Sequence, residues 1–139
     1  MSRASGLGTI VTAVVAALEA DAAVRALVPP ERIGNEIPSG TARPYVLVDV
    51  ETEHDDDAVS LGGVDAVVSV TVVSDYRGSY EIGQIASAVR AALDARTLVI
   101  EGFRDEADVT YEQALGEIRE TIAGVTVRRR PLWFRIRAL

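Results

Sequence analysis

His54-Asp55-Asp56-Asp57 is the first place where residue types suggest chemistry, because consecutive carboxylates beside a histidine could hold a hard cation through oxygen. The stretch lacks the spaced ligands and the turn glycine of an EF-hand loop, so it reads as a solvated hairpin tip, and an Asp-loop metal hydrolase is the weakest reading of the chain. Glu101, Asp105, Glu106 and Asp108 offer further carboxylates. Acid–base catalysis needs two carboxyls whose environments push their pKa values apart, and nothing in the sequence singles these out. Leu61-Gly62-Gly63-Val64 is not a phosphate loop, since no Lys-Ser/Thr follows and the setting is not strand-to-helix. With one histidine and no cysteine, the usual Ser-His-Asp and multi-histidine sites, zinc ribbons and thiol catalysis fall away. No catalytic, metal or cofactor residue is assigned.

The one basic cluster is Arg128-Arg129-Arg130, followed by Arg135 and Arg137. Strand alternation puts Arg128 and Arg130 on one face and Arg129 on the other. Such a cluster is a solvated strand edge, where charge discourages aggregation, a surface for an acidic partner, most simply the acidic middle of a neighbouring copy, or, as the least of the three, a nucleic-acid contact. Trp133 and Phe134 lie beyond Pro131. They either complete the core or dock on another subunit, since Trp and Arg are favoured in interface hot spots. Arg128, Arg129, Arg130, Trp133 and Phe134 form the candidate subunit or partner interface.

The elements that position these residues belong to one soluble domain, 1–139. The chain has 139 residues, 48% hydrophobic and 25% charged, too apolar for a disordered tail and too short for two ordinary domains. No apolar run approaches the roughly 20 residues of a membrane span, and the N-terminus has no continuous apolar targeting segment. The net charge is −7 and every basic residue is arginine. That balance opposes general nucleic-acid binding, which draws on counterions released at basic patches. Residues 49–57 carry six acids and no base, whereas 128–139 carry five arginines and no acid. An acidic middle and a basic end suit head-to-tail association.

Leu7, Ile10, Val11, Val14, Val15 and Leu18 make one helical stripe. Asp21 caps a short second turn carrying Val24, Leu27 and Val28, which Pro29-Pro30 stops. Four of the five prolines fall in 29–44, an irregular connection pinned by Ile33 and Ile37. Strands are expected at 45–51 and 65–74, joined as a long protruding hairpin through the acidic loop. Ile82, Ile85, Ala86, Val89 and Leu93 predict a second amphipathic helix. Short strands follow at 98–100, 108–113 and 117–128, with Gly124 as a bulge, and Pro131 breaks off an apolar-basic tail, 131–139. The fold class is α+β, a mostly antiparallel sheet with two main helices packed on one face.

Two stretches then carry a resemblance. Ile10-Val11 through Leu18-Glu19-Ala20-Asp21-Ala22-Ala23-Val24-Arg25-Ala26-Leu27-Val28, with Arg32-Ile33 and Pro44-Tyr45-Val46-Leu47-Val48, resembles the opening of the tail terminator (tail completion, or tail-to-head joining) proteins of long-tailed bacteriophages. A Val-rich strand ending at Ser74-Asp75 and the helix containing Ile85-Ala86-Ser87-Ala88-Val89-Arg90-Ala91-Ala92-Leu93-Asp94 continue the pattern over roughly residues 8–128. The family usually ends on one long strand, whereas here Pro131 and a Trp-Phe-Arg-Ile-Arg segment follow, which makes 131–139 a candidate interface tail.

The resemblance implies a structural virion protein of the tail or neck, assembled in the host cytoplasm, without enzymatic activity or cofactor. Such proteins form a ring, usually a hexamer, that caps the tail tube, ends its polymerisation and joins the tail to the head connector. The partners implied are further copies of the chain, the tail tube protein and the connector or neck protein, with no membrane. DNA passes through the lumen without specific binding. Six copies at −7 would carry −42 and repel phosphate. On this reading Glu51, Glu53, Asp55, Asp56 and Asp57 line the lumen or touch a stacked ring, and Arg128 to Arg130 pair across subunits. The alternatives are another neck or tail-tube component of the same architecture, or a small cellular α+β ligand-binding module.

Overall fold

The computed structural model of the chain describes residues 2–53, 64–101 and 106–138. Helix α1 (Ser2–Ala20) buries Ile10, Val14 and Leu18, with Val11 and Val15 partly covered beside them. Asp21 ends that helix and caps α2 (Ala22–Leu27), its Oδ1 accepting from the Val24 amide at 3.0 Å. Val28 then turns extended, and a single 3₁₀ turn, Pro30–Arg32, leads into the two-residue strand β1 (Ile33–Gly34). Ile33 is buried and Ile37 half-buried. The third helix, α3 (Tyr80–Leu93), buries Ile82, Ile85, Ala86, Val89 and Leu93, the expected stripe.

The other strands are β2 (Tyr45–Glu53), β3 (Val64–Ser74), β4 (Arg96–Leu98), β5 (Ala107–Ala114), β6 (Ile118–Ile122) and β7 (Val125–Ala138). They form one sheet in the order β1-β2-β3-β7-β5-β4, with β6 attached to β7. All pairings are antiparallel except β1 with β2. The fold is thus α+β and mostly antiparallel. Alternation sends Val46, Val48, Val68, Val70, Val72, Leu132, Phe134 and Ile136 to one face. There they meet the apolar stripes of α1 and α3 in one core. Each such side chain contributes about 1.5–3 kcal/mol by leaving water. β2 and β3 pair as the expected hairpin, and its acidic connection, His54 to Gly63, lies outside the described residues.

Three expectations are corrected. The short strand is 96–98, so Val99 lies outside it and exposed and Ile100 lies outside it and buried. Residues 117–128 are two strands: Ala123 and Gly124 have φ of 50° and 82°, a two-residue hairpin turn and not a bulge. The break at Pro131 does not exist, because β7 runs through it to Ala138. Residues 131–138 are therefore sheet, flanked by β3 and β5. Proline is tolerated there for a local reason. Its carbonyl accepts from Leu115 N at 3.2 Å, which turns its donor-less nitrogen to the same side. On that side β7 has left β6 at Arg129 and not yet met β5 at Leu132, so no ladder bond is lost.

Candidate interaction surface

Strand β7 distributes the basic cluster over both faces of the sheet, as alternation predicts. Arg128 and Arg130 continue the core-facing row of Leu132, Phe134 and Ile136, while Arg129, Trp133, Arg135 and Arg137 lie on the opposite, helix-free side. Phe134 is 1% exposed and meets Tyr111 edge to face, with ring centroids 5.7 Å apart. It belongs to its own chain's core and leaves the candidate interface. Trp133, opposite Ser69 and Gln113, stays half-buried on the helix-free face.

Most of the arginines already have carboxylates within the chain. The Arg135 guanidinium is forked onto Asp65 at 2.9 and 3.0 Å and lies 3.8 Å from Glu112, and Arg137 approaches Asp65 at 3.6 Å. Arg129 pairs with Glu120 and Arg128 with Glu117, both within the β6–β7 hairpin region. Of the three consecutive arginines, only Arg130 has no ion pair among the described residues. Pairing across subunits was the expectation for all three, and two of them are engaged at home.

The acidic residues divide differently. Glu51 is exposed on β2 and its Oε2 accepts from Ser69 Oγ at 3.0 Å. Glu53 closes β2, and Asp55, Asp56 and Asp57 lie outside the described residues, as does His54. Glu101, Glu106 and Asp108 are exposed, and Asp105 lies outside the described residues. Among the described residues no group of three His, Asp or Glu side chains could hold a metal ion, and no helix is long and apolar enough to cross a membrane.

Two features escape the sequence. The first is the β6–β7 arm. Its strands pair with each other beyond the point where β3 ends opposite Arg128, and it presents Ile118, Ile122 and Val125 at 44%, 40% and 42% exposure. The second is Glu117 at the base of that arm. The Ser79 hydroxyl and then the Arg119 and Arg128 guanidiniums hold its pKa at about 2, against the upward push of burial. It ties the arm to the start of α3. A glutamate after Gly116 carried no periodic signal that would single it out.

Comparison with known proteins decides what this surface belongs to. The family model for tail completion protein gp17 matches residues 12–137. The chain belongs to the tail completion protein gp17 family. This tail completion protein is therefore a structural component of a phage-type tail, with its place in the virion. Among solved structures it is similar to a chain described as "Virion of native gene transfer agent (GTA) particle", with 26% identity, a TM-score of 0.69 and 96% of each chain covered. A second solved structure, 17% identical with a TM-score of 0.52 over 92% of this chain and 96% of the other, shares the fold. No curated protein matches. The long last strand expected of the family is present here as β7, so the departure inferred at Pro131 disappears.

Proposed function

We propose that this tail completion protein acts as a tail terminator, the whole chain working as one unit. Copies close into a ring, six in the proteins it resembles. The ring seats on the last ring of tail-tube subunits, stops tube growth and offers its other face to the head connector. The observation that carries the reading is the family match over residues 12–137, joined to the likeness along 96% of both chains to a protein of a virion particle.

Physical features support it. A closed ring uses two different patches of each copy, repeated by rotation. The sheet offers different edges, β1–β2 at one side and β4 with β6 at the other. Its helix-free face carries Trp133, and the arm exposes three branched aliphatic side chains, the kind of apolar surface that marks contact sites. The net charge of −7 lets DNA traverse the ring without being held. The work is done by contacts, with no substrate turned over and no cofactor used.

The test is electron microscopy of particles made without the protein. Overlong or headless tails are expected, and tails of normal length joined to heads would reject the reading. Particle mass in solution and on purified tail tubes reports the copy number.

A further inference from the structure

We infer that the cleft between α3 and β7 containing Arg90 and Arg130 is a carboxylate receptor, and that its occupant is the acidic β2 edge of a second copy, Asp49 and Glu51. The inference rests on the ring reading above and names the contact that would close it.

Arg130 lies one step beyond Leu132 on the core-facing row, where the apolar core gives way to the flank of α3. With Gly83, Ser87, Arg90, Tyr111 and Leu132 it lines a cleft of about 220 Å³. The cleft holds two guanidiniums and no lining carboxylate. Arg130 Nε is withdrawn from solvent with no acceptor among the described residues, as are Arg43 Nε and Arg128 Nε, but those two guanidiniums each hold a carboxylate through another nitrogen and Arg130 does not. A buried donor without a partner is costly and uncommon, so an acceptor supplied from outside is the economical account of it. Arg90 is pre-positioned, its guanidinium 3.8 Å from the centroid of the Tyr111 ring. Its only carboxylate neighbour among the described residues, Asp94, stands 3.9 Å away, with its other oxygen taken by the Tyr111 amide. Two forked donors with a hydroxyl beside them suit one carboxylate. The volume is below that of usual small-molecule sites, and a side chain fits better than a nucleotide or sugar.

Charge and topology select the occupant. Asp49 and Glu51 are exposed on β2 and have no ion pair among the described residues; Asp49 Oδ1 accepts only from the Val50 amide, and Glu51 only from Ser69. Beyond Leu47 the outer edge of β2 has no partner strand among the described residues, since β1 covers Val46 and Leu47 alone. β2 lies on one side of β3 and the cleft on the other, at β7 and β5. One rotation can therefore carry the acids of each copy to the arginines of the next, as a heterologous ring requires.

Particle mass is measured for the wild type, alone and on purified tail tubes, against Arg130→Gln, Arg130→Glu and the pair Asp49→Arg with Glu51→Arg. Arg130→Gln is expected to weaken association about tenfold or more. Arg130→Glu and the double arginine variant each abolish it, and combining them restores it. Thermal melting checks each fold; should Arg130→Glu fail to fold, Arg130→Gln with Arg90→Gln carries the test. If the wild type forms rings and these glutamine variants assemble equally well, the inference falls and the ring reading stands. If the wild type stays single even on tubes, both fall. If added succinate raises the melting temperature through Arg130 while ring assembly ignores the Arg130 variants, the cleft takes a free small acid and the chosen occupant is wrong.

Discussion

Glu117 and Arg128 form an ion pair across the base of the β6–β7 arm, with only 11% and 14% of their side chains exposed. The pair sits where β7 leaves the core and becomes one side of the arm. Ser79 and Arg119 complete the surroundings of the carboxylate, so arm, helix and central strand meet at one group.

The pH dependence of stability follows from that group. Its carboxyl titrates near 2 in the folded chain against an ordinary 4.5. A depressed carboxylate stabilises the fold above its unfolded pKa, and the contribution is lost as pH falls from 4.5 towards 2. Glu117→Gln is expected to lower the melting temperature at pH 7, with the gap from wild type closing between pH 4.5 and 2. A gap that stays constant across that range would assign the loss to packing.

Phe134→Ala and Trp133→Ala separate core from surface. Phe134 is fully buried against Tyr111, and its truncation should cost about 3–5 kcal/mol in denaturant melts. Trp133 faces the helix-free side, so its truncation should cost clearly less in the isolated chain and act mainly on assembly, read as particle mass.

At the arm's turn, Ala123 holds φ 50°, a conformation that costs a residue with a Cβ about 1–2 kcal/mol. Ala123→Gly should relieve part of that cost and slow hydrogen exchange of the Thr121 to Thr126 amides. Gly124→Val, at φ 82°, should speed it.

Asp21→Ala removes the acceptor for the Val24 amide and should destabilise the chain by about 1 kcal/mol in thermal melts, with Asp21→Ser restoring most of it.

Much of this architecture is legible in the sequence because its elements announce themselves by period. The stripes of α1 and α3, the Asp21 cap and the valine alternation of β3 each match a local rule. The two misreadings at the end of the chain have non-local causes. Ala123-Gly124 makes a primed turn without the Asn-Gly or Asp-Gly signature, since tertiary pairing of β6 with β7 holds an alanine in the left-handed region. Pro131 looks like a stop because a proline inside a central strand normally forfeits a ladder bond. Only the hand-over from β6 to β5 shows that no bond is owed there. The candidate surface was half legible: alternation split the arginines correctly, but which carboxylates meet them depends on residues distant in sequence, such as Asp65 and Glu117.

The central place of β7 bears on how the chain reaches this state. Only β7 joins β3 to β5, yet it is made after both. A nascent chain lacking it holds two separate pieces, β1-β2-β3 and β5-β4, each with an open margin. Closure of the sheet depends on pairings such as Val64 with Ala138, far apart in sequence and slow to find. Joining of the two pieces should therefore wait on β7, and a lesion in that strand should leave them apart.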